Sequence, residues 1–510
     1  LITASDVWAA RVLREFHSHV DDFESVRALG FCVSIEHAEY MATRFNAAGV
    51  PSVAVSGNTH PDRRAEALRA LKDGTLRVVF SVDVFNEGVD IPSVNAILLL
   101  RPTESATIFI QQLGRGLRTV RGKDHCLVLD FVGHHRKEFR FDLRFRALLG
   151  GTRLDLEKQI MHGFPFLPSG CHMELDEVAS KVVLDSLKTS IPATWRQRVS
   201  DLRSIHASGK PITITDFLSE TGLDLEDLYT NKRCWSDLVE SADLPVLEPG
   251  PGERELRRAI GRLLHVNDPL RLESWIRLLE GSIPSISGLR DRDRRLVRML
   301  VAQLLSQAGI EHGVALQGAV DFLWRHPQVR AELVALFRVL LSRVDHVQAA
   351  LPNRPENPLS THGRYTRIEI LAASTSDDKA FTSTWREGVR YLESDGIATD
   401  LLAITIDKSS GAFLPSTMYH DYAVSPDLFH WQSQNATSET SPTGQRYRDH
   451  IDRGSEVLLF ARSNDSERSF WFLGRGVYVT HSGSRPMSIT WRLETALPGD
   501  LYADFAAAAA

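Results

Sequence analysis

Two arginines one helical turn apart, Arg115 and Arg118, close the stretch Gln111-x-x-Gly114-Arg115-x-x-Arg118. Residues at i and i+3 are neighbours on a helix, so the two guanidinium groups can face one polyanion as a paired fork. A nucleoside triphosphate is the anion that such a fork suits. Neutralising the charge that builds on a γ-phosphoryl group is worth roughly 10³ to 10⁵ in rate where an arginine supplies it. The plain alternative is a solvated helix face carrying two surface cations.

The elements that must position this fork can be read upstream. Apolar runs of strand length occur at 29–35, 52–55, 76–80, 95–100 and 126–131, separated by helical patterns or turns. That alternation predicts an α/β domain with a parallel sheet covered on both faces. The first helix is expected to start after Ser34, a good N-cap, and to stop at Gly49 with Pro51 beyond it. Ligands of such sheets bind beyond the carboxyl ends of the strands. Ser34, Asp83 and the turn Glu87-Gly88-Val89-Asp90 fall there. Gly88 lets backbone approach a ribose or phosphate closely, while Asp90 reads either as a ribose acceptor or as a cap before Pro92.

With these motifs, residues 25–135 resemble the second core domain of superfamily 2 helicases, of the DEAD/DEAH and type III restriction-subunit kind. The resemblance implies a RecA-like fold, ATP and Mg2+ held in a cleft between two lobes, and translocation along nucleic acid. It implies that Arg115 and Arg118 are arginine fingers, with Gln111, Gly114, Glu87, Gly88 and Asp90 on the ATP side. Ser34, Gly57, Arg64, Ser81 and Asp83 would line the bound strand. The stretch from Ser56 to Arg64 has a plain alternative as a loop and the first turn of a surface helix. One departure is Val82, where the family usually has a threonine before the aspartate. Ser81 does not automatically replace that hydroxyl, because neighbours along a strand point to opposite faces.

A Gly-x-x-x-x-Gly-Lys-Ser/Thr phosphate loop and a D-E-x-D or D-E-x-H box are both missing from the sequence. The expectation is the C-terminal part of a longer protein, inactive alone, with magnesium held mainly by a first lobe. Residues 506–510 form an alanine tail.

Length and composition fit that picture. The 510 residues suggest about three domains: 1–150 as the RecA-like lobe, an all-helical region over 151–355, and a strand-rich α+β domain over 356–505. A hydrophobic share of 43% with 24% charged residues is ordinary for a globular protein. No apolar run approaches the ~20 residues a membrane span needs, so a cytoplasmic protein with no membrane partner is expected. The four cysteines are scattered and read as reduced thiols. Cys171-His172 with His162 is too sparse for a metal site, and none is expected. The net charge of −6 argues against a wholly basic coat but leaves a local groove open. His134 to Lys137 could meet phosphates or form a solvated exit loop.

Within the helical region, residues 212–240 predict two short amphipathic helices around Gly222, with Asn231, Lys232 and Arg233 exposed ahead of Trp235. A helix-turn-helix-like unit or a plain pair with Trp235 in its core both fit. Arg292, Arg294, Arg295 and Arg298 alternate with Asp291 and Asp293, which predicts a solvated face. Three prolines over 352–358 mark a linker.

Beyond the linker, the words FHWQSQ, TGQRY and RPMSITW resemble a C-terminal domain of unknown function attached to bacterial superfamily 2 helicases. Some architectures with this domain carry an N-terminal nuclease, which implies DNA restriction, repair or defence. Aromatics interleaved with amides and an arginine suit base stacking and edge hydrogen bonds. The candidate readers are His430, Trp431, Gln432, Gln434, Gln445, Arg446 and Tyr447. The alternative makes the aromatics core residues. For the chain as a whole the expectation is part of an ATP-dependent DNA helicase or translocase, with RNA not excluded. The competing reading is a non-catalytic DNA-binding or assembly module on a RecA-like scaffold.

Overall fold

The computed structural model describes residues 5–20, 22–82, 92–101, 106–117, 123–131, 145, 148–149, 153–164, 167, 171–189, 194–207, 209, 212–306, 314–352, 354–375, 379, 385–407 and 421–506. Two compact units divide the chain, 1–191 and 192–510.

In the first unit, β1 (Ala28–Phe31), β2 (Ser52–Val55), β3 (Val78–Ser81), β4 (Ala96–Leu99) and β5 (Leu127–Asp130) form one sheet in the order β2-β3-β1-β4-β5. Every pairing is parallel. Side chains alternate between faces along a strand, and the burial follows that period. Ala28, Val78, Phe80, Ala96 and Leu98 join one cluster with α1 (Asp6–His19) and α2 (Ile35–Ala47). Leu29, Phe31, Val79, Ile97 and Leu99 join the other, with α3 (Pro61–Asp73) and α4 (Ala106–Gly116). This is the parallel sheet, covered on both faces, that the apolar runs predict, with the same five strands. Ser34 caps α2 as predicted, its hydroxyl accepting from His37 N at 3.2 Å.

In the second unit, helices from Trp195–Ala207 to Pro327–Leu341 precede a sheet of eight strands. Two neighbouring strands, Ile397–Asp407 and Glu456–Asn464, pair in parallel and are buried on both faces, hence their near-continuous apolar runs. Leu401, Ala403, Leu458, Phe460 and Phe472 pack on the helices, while Leu402, Ile404, Leu459, Ala461 and Leu473 face a separate cluster. One hydrophobic core therefore runs through the helices and one face of the sheet. The proline-rich stretch near 355 marks a change of secondary structure rather than the end of a core.

Trp235 lies in that core, and Asn231, Lys232 and Arg233 are exposed. The helix Trp235–Ser241 has its first turn held by a distant carboxylate: Glu332 accepts from the Trp235 and Ser236 amides at 2.9 and 2.8 Å. The local pattern thus serves a packed helical pair.

The arginine-rich helix Asp291–Leu305 departs from expectation, because Arg295 and Arg298 are buried. Arg295 donates to the Ala373 carbonyl at 3.0 Å and pairs with Asp291 and Asp395. Arg298 donates to the carbonyls of Ala372 and Lys379, each at 3.1 Å. Both guanidinium groups cap the carbonyl end of the helix Arg367–Ala373, where unpaired C=O groups and the helix dipole favour a cation. Mixed charge along a sequence cannot reveal a partner that lies seventy residues away.

His346 ties the end of the helical region to the helix Gly499–Ala506. Its ring nitrogens meet Asp345 at 2.6 Å and Asp500 at 2.8 Å. Burial opposes its charge, but the two carboxylates outweigh burial and push its pKa from 6.5 up to about 9. A folded value above the unfolded one stabilises fully below pH 6.5, and that stability is lost as pH rises through about 9. Wild-type stability from thermal melts is expected to fall by about 3 kcal/mol between pH 6 and 10. His346→Gln should flatten that fall, and an unchanged profile in the variant would discard the assignment.

Candidate functional site at the two ends of the parallel strands

Parallel pairing aligns the last strand residues Val55, Ser81, Phe31, Leu99 and Asp130 in one row. Just beyond it stands Ser34. Next to Val55 the chain turns at once: Thr59 N donates to Ser56 O at 3.0 Å, and Ser56 N to Thr59 Oγ1 at 2.9 Å. Gly57 at the tip of this turn is exposed, with nothing within 4 Å of the place a Cβ would occupy. Arg64 follows in the first turn of α3, half-buried and with no ion pair or side-chain hydrogen-bond partner among the described residues. An unopposed guanidinium beside an open turn suits a phosphate.

Ser81 is placed differently from expectation. It is 1% exposed, and its Oγ has no hydrogen-bond partner among the described residues. The hydroxyl is enclosed at the end of β3, so it is not offered to a strand running outside. Asp83, Glu87, Gly88, Asp90, Arg118 and the segment from His134 to Lys137 lie outside the described residues.

The fork helix ends at the opposite end of the strands. Phe109 and Leu113 seat α4 on Ile97 and Leu99. At Gly116 any Cβ would press on Ile97 Cδ1 at 2.8 Å and on Cys126 Sγ. Ile97 is near the start of β4 and Cys126 immediately precedes β5, so the last turn of α4 lies at the amino ends of these strands. Only glycine permits so close an approach. Lys123 donates to the carbonyl of Gly116 and fastens that turn. Burial holds the Lys123 pKa below its ordinary value, against the pull of Cys126. Gln111 and Arg115, four residues apart on one face, are half-buried here, and Gly114 is exposed and open. The structure thus gathers Gln111, Gly114 and Arg115 at one end, and Ser34, Gly57 and Arg64 at the other.

Sequence reasoning passed over Gly116 and Gln112. The second glycine of Gly-Arg-Gly was the available signal for the first. Gln112 is fully buried, and with its amide oxygen assigned toward Arg101 it accepts from Nε at 3.2 Å and a terminal nitrogen at 2.9 Å. That contact ties the segment after β4 to α4.

The strand-rich region corrects two proposed readers of bases. Trp431 and Tyr447 are 5% and 1% exposed, edge-to-face with one another at 5.5 Å between ring centroids and packed around Trp491. Rings covered on their faces by protein cannot stack on a base. Arg446 is engaged by Asp400 through contacts of 2.6 and 2.9 Å and lies over Tyr391. His430 stacks on Tyr422 at 4.8 Å, and Gln432 donates to Ser488 at 3.2 Å. Gln434 and Gln445 are the candidates left exposed. Trp431→Ala is expected to destabilise by about 3–5 kcal/mol in chemical denaturation, with Gln434→Ala and Gln445→Ala near wild type. A stable Trp431→Ala that loses nucleic-acid binding would restore the reader role.

Among the described residues no three His, Cys, Asp or Glu side chains gather as a metal site, and no helix is long and apolar enough to cross a membrane.

Residues 11–120 match the family described as "Helicase conserved C-terminal domain", and residues 359–505 match a domain of unknown function, DUF3427. Among curated proteins, "Putative ATP-dependent helicase IRC3" of Saccharomyces cerevisiae is 33% identical over 123 residues, 24% of this chain and 18% of that protein. "DNA 3'-5' translocase XPB2" of Sulfurisphaera tokodaii is 32% identical over 92 residues, 18% of this chain and 20% of that protein. "ATP-dependent RNA helicase SUB2" of Saccharomyces cerevisiae is 29% identical over 105 residues, 21% of this chain and 24% of that protein. The chain spans about a fifth of the length of the curated relatives it matches.

Proposed function

We propose that this chain, which carries a helicase C-terminal domain over 11–120 and DUF3427 over 359–505, forms the second lobe and accessory part of an ATP-dependent DNA translocase or helicase. The observation that carries this reading is the separation of two polyanion sites across one parallel sheet. Arg115 and Gln111 stand at the amino ends of β4 and β5, and Ser34, Gly57 and Arg64 at the carboxyl ends of β1 and β2. A motor needs both, since it must sense a triphosphate and grip a strand with the same rigid body.

ATP fits the first site through its cations: Arg115, with Arg118, would counter the triphosphate, and Gln111 and Gly114 would border it. A bound nucleotide with Mg2+ supplies the phosphoryl-transfer chemistry. Within the reading, magnesium and the phosphate loop belong to a first RecA-like lobe of the same protein. Arg64 and the open Gly57 turn would hold backbone phosphates, with Ser34 adding a hydroxyl. Within the reading, DNA rather than RNA is the track, the biological setting is restriction, repair or defence against foreign DNA, and a nuclease domain is a further candidate partner. The C-terminal domain would sense DNA through Gln434 and Gln445 rather than through its buried rings.

The deciding experiment is ATPase activity of a full-length parent protein with single-stranded DNA, double-stranded DNA, matching RNA or no nucleic acid, beside this 510-residue chain as control. DNA-stimulated turnover by the parent and none by the chain alone is the expected result. A parent that binds DNA yet never hydrolyses ATP would make the lobe a scaffold.

A further inference from the structure

A cavity of about 340 Å³ opens in the second unit between helices and sheet, far along the sequence from the lobe that carries Arg115. It is lined by Lys232, Arg258, Arg262 and Arg468, with Glu255 the one carboxylate and Tyr229 and Gly261 completing its wall. Four cations against one anion is an unusual lining for a chain whose overall charge is −6.

The cations arrive from separate elements. Lys232 sits in the turn Thr230–Lys232, where Asn231 and Lys232 adopt φ of 54° and 60°. Two consecutive non-glycine residues in the left-handed region cost energy and persist only where the surroundings hold them. Arg258 comes from the helix Glu253–Ile260 and Arg262 from the turn that follows it. Arg468 immediately precedes the strand Ser469–Ser482. Gly261 keeps the wall close, since a Cβ there would stand 3.0 Å from Tyr229 Cβ.

The charges are not neutralised by the protein. Arg258 reaches Glu255 at 3.9 Å, both partly exposed, which is a weak pair. Lys232, Arg262 and Arg468 have no ion pair or side-chain hydrogen bond among the described residues. Burial, and next the nearby charge of Arg468, hold the Arg262 pKa below its ordinary value. Two buried arginines elsewhere in this unit are matched to carboxylates: Arg257 to Glu253 at 2.8 Å and Arg354 to Glu456 at 2.8 Å. Four cations gathered around a cavity with a single carboxylate repel one another, and an anion entering it relieves that repulsion.

We infer that this cavity is a phosphate-binding site, formed jointly by the helical region and the strand-rich domain through Lys232, Arg258, Arg262 and Arg468. Two arginines from different elements can fork onto the oxygens of one phosphate, while Lys232 adds a point charge. The same chemistry is presented by the backbone of a nucleic-acid strand and by a free polyphosphate such as a nucleotide tail. The site uses none of the residues assigned to the motor lobe and does not depend on that assignment.

The test uses the full chain with two probes: a fluorescently labelled 12-nucleotide single strand, read by anisotropy across a salt series, and pyrophosphate, read by calorimetry. Both are repeated with Arg262→Gln/Arg468→Gln, whose melting temperature is checked first. The double variant is expected to bind pyrophosphate about ten- to a hundredfold more weakly. If a strand is the natural source, its salt slope falls by about one to two. Loss confined to pyrophosphate assigns the site to a free polyphosphate, and loss confined to the oligonucleotide assigns it to a strand. Unchanged binding of both overturns the inference. Glu255→Gln supplies an independent arm should the double variant not fold. Removing the one carboxylate must tighten at least one probe severalfold, and no tightening of either overturns the inference as well.

Discussion

Arg115→Ala, in a parent protein that joins this chain to a lobe bearing a phosphate loop, is expected to cut DNA-stimulated kcat by on the order of 10³-fold or more. The backbone that carries Arg115 is tightly held. Phe109 and Leu113 anchor α4 on the sheet, Gly116 lets its last turn lie against Ile97, and Lys123 fastens the final carbonyl. Truncating a half-buried arginine on such a helix removes a cation without moving its support. Arg118→Ala is expected to match it, because two groups acting as one fork are not additive. Arg115→Lys should recover little, since an ammonium cannot present two parallel donors. DNA affinity is the control: it should stay within a few-fold for these variants, whereas Arg64→Ala should weaken it and lower the salt slope by about one. Normal turnover by Arg115→Ala and Arg118→Ala would remove the finger assignment and leave the scaffold reading.

The second large effect is structural. Glu369→Ala should destabilise the second unit by about 3–5 kcal/mol in denaturant unfolding. Glu369 is fully buried and accepts from His265 at 2.7 Å, Arg271 at 3.1 Å and the Thr366 amide at 2.7 Å. Arg271, itself fully buried, also donates to the Arg364 carbonyl at 2.8 Å and lies over Tyr365 at 4.3 Å. Removing the carboxylate leaves a guanidinium in the interior without its counter-charge. Burial opposes ionisation of Glu369, but His265 and Arg271 overcome burial and push its pKa from 4.5 down to about 2. A folded value below the unfolded one stabilises above pH 4.5 and is lost as pH falls toward 2. Acid unfolding should therefore begin at higher pH in Glu369→Gln than in the wild type. A paired replacement, Arg271→Met with Glu369→Leu, should recover most of the loss, because apolar residues of similar volume often substitute for a buried ion pair. A single Glu369→Ala variant with wild-type stability would show that the network is not what joins helices to sheet.

Much of the first unit was legible in the chain itself. Five apolar runs with helical spacers are enough for a parallel sheet, because a strand buried on both faces has to be apolar throughout. Ser34, Gly49 and Pro51 carried the limits of α2 because capping and stopping are local chemistry. Gln111, Gly114 and Arg115 were visible for the same reason: their spacing is a property of one helix turn. The roles of Trp431, Tyr447 and Arg295 were not visible. An aromatic reads the same in sequence whether it stacks on a base or on Trp491, and an arginine among aspartates reads as solvated whether or not it caps a helix seventy residues on.

By itself, then, the sequence determined which residues can carry charge, turn the chain or fill a sheet, since those properties belong to a residue and its near neighbours. Only the tertiary structure decided which of them are spent. It buried Ser81, Trp431 and Tyr447, engaged Arg446 with Asp400, and set Arg115 at the opposite end of the strands from Arg64. It also brought Arg468 to one cavity with Lys232 and Arg262, each more than two hundred residues before it in the chain. The physical reason is that burial and charge pairing are sums over neighbours in space, and a folded chain chooses those neighbours without regard to their distance along it.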